Sequence, residues 1–225
     1  MKKSLLSLFF SIAVLTSFAN EIDPPFYAAD FPASAKGAIM MDYTSVFVPS
    51  QDKTYYECLV WDKYTGKSIL YYFNYTDGKF VAYAEEAQIP TSISAVSSSS
   101  EKSGVIMMDY TSVHVPSDDK TFYECLIWNT KTGKSVLYYY NYTDSKFKAY
   151  SDDVQLPNDP LNGLADGEFM MDYTSVHVPT QEKTYYEIMV WDTQSGYSQL
   201  YFFDYNLSKF VTYEEKVQLP SEPMD

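Results

Sequence analysis

The sequence predicts an all-β protein of three tandem four-stranded antiparallel meanders, packed about a pseudo-threefold axis in a β-prism-like or propeller-like arrangement. Three observations lead there. The stretch MMDYTSVFVP returns twice further along as MMDYTSVHVP, and the segments 37–90, 104–157 and 167–220 align on one another without a gap. That self-similarity marks a repeat architecture. The chain holds 23 Tyr and 14 Phe, side chains that sit well on pleated surfaces. No segment sustains the 3.6-residue apolar period of an amphipathic helix.

The first nineteen positions read as an export signal. MKKSLLSLFFSIAVLTSFAN has Lys2 and Lys3, then an apolar run, then the small residues Ser17 and Ala19. This pattern is a Sec-type signal peptide of bacterial character over 1–19, with cleavage after Ala19. The apolar run is short for a membrane span, and no cysteine stands at the cleavage site to take a lipid. A secreted or periplasmic location without membrane insertion is expected. A lead segment follows at 20–36, and a short tail closes the chain at 221–225.

Within the first unit, residues 38–48, 54–61, 68–75 and 80–89 read as strands. Pro49 and SQDK end the first of them. DKYTGK joins the second and third, with Asp followed by Thr-Gly suiting a turn that ends on a glycine at positive φ. TDGK does the same between the third and fourth, and Ser145 and Ser208 replace Gly78 in the later copies. The sequons NYT at 74–76 and 141–143 and NLS at 206–208 fall at these strand-to-turn junctions and read as turn residues. Short connections make each unit a meander.

One such unit is a single layer with aromatics on both faces. Alone it buries too little surface to offset its chain entropy, so the copies are expected to bury faces against each other. The joining segments, Ser-rich at 91–103 and turn-rich at 158–166, leave open an alternative of three separate modules on linkers. The stretch ECLIWNTKTGKSVLYYY resembles the Trp-Asp…Thr-Gly hairpin of propeller blades over that one hairpin of each unit, without the Gly-His pair of such blades.

Composition narrows the function. A net charge of −14 repels nucleic acid and anionic membranes. All the basic side chains are lysines, so the bidentate arginine fork for phosphate or carboxylate is lacking. No nucleophile with an oriented base appears, and no calcium loop of the Asp-x-Asp-x-Asp-Gly type occurs. No enzyme, cofactor or metal is expected.

The equivalent columns carry the remaining candidates. Cys58 and Cys125 share a column with Ile188, as a buried apolar position or as a disulfide, which needs Cα atoms within about 7 Å. His114 and His177 share a column with Phe47, too few imidazoles for a threefold metal site. Asp42, Asp109 and Asp172, like Glu57, Glu124 and Glu187, lie within strands and call for a lysine from the neighbouring strand or a tyrosine hydroxyl. Alternation places Trp61, Trp128 and Trp191 on the same strand face as those glutamates. An indole beside a carboxylate can stack on a sugar and accept its hydroxyl protons. The expected function is therefore non-enzymatic binding of a glycan or cell-envelope polymer through repeated aromatic and carboxylate surfaces. The alternative is a structural or adhesive protein that self-associates through strand edges and tyrosine-rich patches.

Overall fold

The structure is a computed structural model that describes residues 39–90, 105–165 and 167–214. The signal peptide, the lead segment, the Ser-rich joining segment and the C-terminal tail expected from the sequence lie outside the described residues. Among those described, no helix is long and apolar enough to cross a membrane.

Three four-stranded antiparallel sheets follow one another along the chain, each a simple meander. Unit 1 is β1 (Ile39–Val48), β2 (Lys53–Asp62), β3 (Ser68–Asn74) and β4 (Lys79–Ala82). Unit 2 is β5 (Ile106–Val115), β6 (Lys120–Asn129), β7 (Ser135–Asn141) and β8 (Lys146–Ala149). Unit 3 is β9 (Phe169–Val178), β10 (Lys183–Asp192), β11 (Ser198–Asp204) and β12 (Lys209–Thr212).

The turn chemistry works as the sequence implies. Asp62 Oδ1 accepts the backbone N–H groups of Tyr64 at 2.8 Å and Thr65 at 3.2 Å, and Gly66 closes the turn at φ 64°. Gly78, Ser145 and Ser208 occupy the same left-handed position with φ of 65°, 53° and 52°. Asn74 Oδ1 accepts from the N–H of Thr76 at 2.9 Å, which is the turn role expected of that sequon.

The fourth strand is shorter than the expected 80–89. It ends at Ala82, and a 3-10 turn at Glu85–Ala87 follows. Gln88 explains the break. Its side-chain oxygen accepts the N–H of Leu70 at 2.6 Å, and its amide donates to the carbonyls of Leu70 at 3.2 Å and Tyr83 at 2.8 Å. One glutamine side chain thus supplies the hydrogen bonds that a longer strand would have made. Gln155 does the same for Leu137 and Tyr150 in unit 2.

The sheets stack face to face in chain order, and their cores cross unit boundaries. One core joins Leu59, Trp61 and Leu70 of unit 1 to Ile106, Met108 and Tyr110 of unit 2. The next joins Leu126, Trp128 and Leu137 of unit 2 to Phe169, Met171 and Tyr173 of unit 3. The second joining segment belongs to this packing, because Leu161 is fully buried in the unit 2–unit 3 core and Tyr201 donates its hydroxyl to the Pro160 carbonyl at 2.7 Å.

First strands run closest together, β1 against β5 and β5 against β9. The outer strands stand further apart, and the 3-10 turns fill the gap: Glu85–Ala87 packs on β8 and Asp152–Val154 on β12. The sheets therefore fan outward from a spine of first strands. Packing around a threefold axis is not seen. Closing three units on themselves would cover the outward face of unit 1, yet Met41 is 63% exposed there.

Candidate functional site

Among the hydrogen bonds that tie each unit to the next, three repeated side-chain contacts use the columns singled out in the sequence. Strand alternation turns Glu57, Leu59 and Trp61 towards unit 2 and Cys58 and Val60 away from it. Trp61 donates its indole Nε1–H to the Ile106 carbonyl at 3.0 Å, and Trp128 donates to the Phe169 carbonyl at 3.1 Å. Asp42 Oδ2 accepts the Tyr110 N–H at 2.6 Å, and Asp109 Oδ2 accepts the Tyr173 N–H at 2.6 Å. Glu57 accepts two hydroxyls, from Tyr83 of its own unit and from Tyr110 of the next at 3.0 Å. Glu124 repeats this with Tyr150 at 2.6 Å and Tyr173 at 2.8 Å.

The seam is dry enough to shift its carboxyls. Burial pushes Glu57 up to about 7, although the two tyrosine hydroxyls pull the other way. Glu124 is raised for the same reason. Asp109 is pushed up to about 7, first by burial and further by Asp42 and Asp172 along the spine. Of the two partners expected for the strand glutamates, the tyrosine hydroxyl is the one found.

The structure thus brings the tryptophan and glutamate columns together on one face, as alternation requires. In units 1 and 2 that face is covered. Trp61 and Trp128 are each 2% exposed, so neither indole offers a plane to a sugar. Trp191 and Glu187, in unit 3, sit half-buried.

Cys58 and Cys125 are unpaired, buried thiols. A disulfide between them is geometrically barred. Cys58 lies on the face of the unit 1 sheet away from unit 2 and Cys125 on the face of the unit 2 sheet towards unit 1, so the unit 1 sheet stands between them. Burial pushes the Cys58 thiol up to about 11 and the Cys125 thiol upward too, which favours the protonated form over the nucleophilic thiolate. The histidines are tied locally: His114 Nδ1 lies 3.1 Å from Thr121 Oγ1, and His177 Nδ1 the same distance from Thr184 Oγ1. Among the described residues, no cluster of three or more His, Cys, Asp or Glu side chains is arranged to hold a metal. A cavity of about 110 Å³ between units 2 and 3 is lined by Glu124, Tyr150, Tyr173, Tyr186 and Phe210. It is smaller than the several hundred Å³ of typical small-molecule sites.

A second repeated arrangement was not anticipated from the sequence. The Lys53 ammonium sits 4.6 Å from the Tyr55 ring centroid and 4.8 Å from that of Tyr75. Lys120 repeats it on Phe122 and Tyr142 at 5.0 and 4.9 Å. Lys183 does so on Tyr185 and Tyr205 at 4.9 and 5.1 Å. Tyr75, Tyr142 and Tyr205 each donate a hydroxyl to the backbone carbonyl of Thr54, Thr121 and Thr184 respectively, fixing their rings. They are 47%, 45% and 46% exposed, so the exposure is a property of every unit and not of the ends. The signal was available: the lysine column lies next to one aromatic column and across the sheet from another.

Neither family models nor curated protein sequences match the chain.

Proposed function

We propose that the protein is an exported, non-enzymatic binding protein whose three units each carry a weak site for a glycan or cell-envelope polymer. The observation that supports this is the lysine–aromatic cluster, present in all three units with its outer tyrosines Tyr75, Tyr142 and Tyr205 exposed in each. Rigid tyrosine planes beside a cation offer stacking and hydrogen bonding at little entropic cost. Three equivalent sites on one rigid stack raise avidity well beyond the affinity of one. The seam glutamates are engaged by tyrosine hydroxyls, which fits a scaffold better than a catalyst.

The test is a glycan and envelope-polymer binding screen followed by Tyr55→Ala, Phe122→Ala and Tyr185→Ala, singly and combined. Binding falls stepwise with each substitution while the melting transition holds. A triple variant that binds as well as the parent would remove this site from consideration.

A structural, self-associating role is the second reading. The uncovered faces at the two ends of the stack favour it.

A further inference from the structure

Successive units meet through the same pair of faces twice. A giving face carries Asp42, Glu57, Leu59 and Trp61, and the receiving face on unit 2 carries Ile106, Met108 and Tyr110. The pair recurs between units 2 and 3, with Trp128 and Glu124 meeting Phe169, Met171 and Tyr173. Each end of the stack then keeps one half of this pair uncovered. On unit 1 the receiving face is open: Met41 and Tyr43 are 63% and 54% exposed, against 4% and 3% for Met108 and Tyr110. On unit 3 the giving face is open: Val176 is 53% exposed against 7% for Val113. Trp191, Glu187 and Met189 are only half-buried there, where Trp128, Glu124 and Leu126 are buried.

We propose that two copies of the chain close head to tail into a single ring of six sheets, unit 3 of each copy receiving unit 1 of the other. The two seams inside the chain are the template. By their geometry, the Ile39 carbonyl accepts the Trp191 indole N–H, Asp172 accepts the Tyr43 N–H, and Glu187 accepts the Tyr43 hydroxyl. Matching but different faces at the two ends make a heterologous contact, which gives a ring when the rotation closes and a filament when it does not. Here the sheets fan outward from their first strands, as wedges of a ring do. Closed rings of four-stranded sheets hold about 4–8 of them. Three fall short and two chains supply six. This inference is independent of the ligand proposed above.

The experiment measures the mass in solution of the chain from residue 20 onward, by light scattering after size exclusion and by native mass spectrometry across a dilution series. The parent gives twice the chain mass. Met41→Glu and Met189→Glu each place a charge in the ring seams, and each gives the single-chain mass. An equimolar mixture of the two variants regains the two-chain mass, because one unaltered seam forms between them. Circular dichroism checks that both variants fold, and Tyr43→Lys with Val176→Lys serves as a second pair. A parent of single-chain mass overturns the proposal and assigns the ends to solvent or to the chain's own terminal segments. Masses that climb past two chains with concentration overturn it in favour of a filament. A Met189→Glu variant that stays dimeric overturns it in favour of a symmetric contact between two unit 1 faces.

Discussion

Tyr110 of unit 2 donates its hydroxyl to Glu57 of unit 1 at 3.0 Å, and Tyr173 of unit 3 donates to Glu124 of unit 2 at 2.8 Å. A tyrosine that is fully covered in two units is exposed in the first, where the same column holds Tyr43. The role of this column is set by the presence of a preceding unit.

Removing that hydroxyl separates the two situations. Tyr110→Phe leaves one oxygen of a buried carboxyl without its donor and lowers stability by about 1–3 kcal/mol. Tyr43→Phe, at the exposed position, stays within about 0.5 kcal/mol of the parent in the single chain. Urea unfolding of both variants, compared at constant m, checks the difference.

The raised seam carboxyls predict that acid stabilises this fold relative to neutral pH. Glu57 rises from the ordinary 4.5 to about 7 on folding, and Asp109 rises from 3.8 to about 7. A carboxyl raised in the folded state contributes stability that is full below its unfolded value and lost as pH rises through the folded one. The window is therefore about pH 4 to 7, and the loss from Glu57 is roughly 3 kcal/mol. The melting temperature should fall between pH 5 and pH 8, and Glu57→Gln should flatten that slope and raise stability at pH 8. A melting temperature that climbs over the same range would contradict the buried, neutral seam.

The thiols should be silent until the chain unfolds. Peptide mapping without reduction finds Cys58 and Cys125 free, and a thiol reagent reacts with both only in denaturant. Cys125→Val is tolerated to within about 1.5 kcal/mol, since Ile188 fills the same column fully buried in unit 3. Cys125→Ser, which places a hydroxyl there, costs more.

Local chemistry made much of this fold legible. The alternation of Tyr56, Cys58 and Val60 against Glu57, Leu59 and Trp61 is written in consecutive residues, as are the turns closed by Gly66 and Gly78. What a face meets is not written there. Trp61 was legible as a strand residue beside Glu57, but whether an indole faces sugar or the Ile106 carbonyl depends on the next sheet. The expected packing about a threefold axis is not confirmed, and how successive sheets pack depends on contacts between units, such as the 3-10 turn at Glu85–Ala87 on β8, that no single unit's sequence spells out. The fourth strand was read too long because Gln88 looks like a strand residue until its amide is seen to replace a ladder. A lysine from the neighbouring strand was one of two partners expected for the strand carboxylates, whereas Lys53 lies over two aromatic rings.

The central claim is that the apolar cores belong to pairs of units and to no unit alone. Differential scanning calorimetry of the chain from residue 20 onward tests it most directly. Cores shared across both seams predict one transition, with a calorimetric enthalpy equal to the van't Hoff enthalpy for the cooperative species. Trp128→Ala, which strips a buried indole from the second seam, should lower that one transition as a whole, by about 3–5 kcal/mol in stability. Two or three separable transitions, with only one of them moved by Trp128→Ala, would show that the units fold independently and would contradict the account.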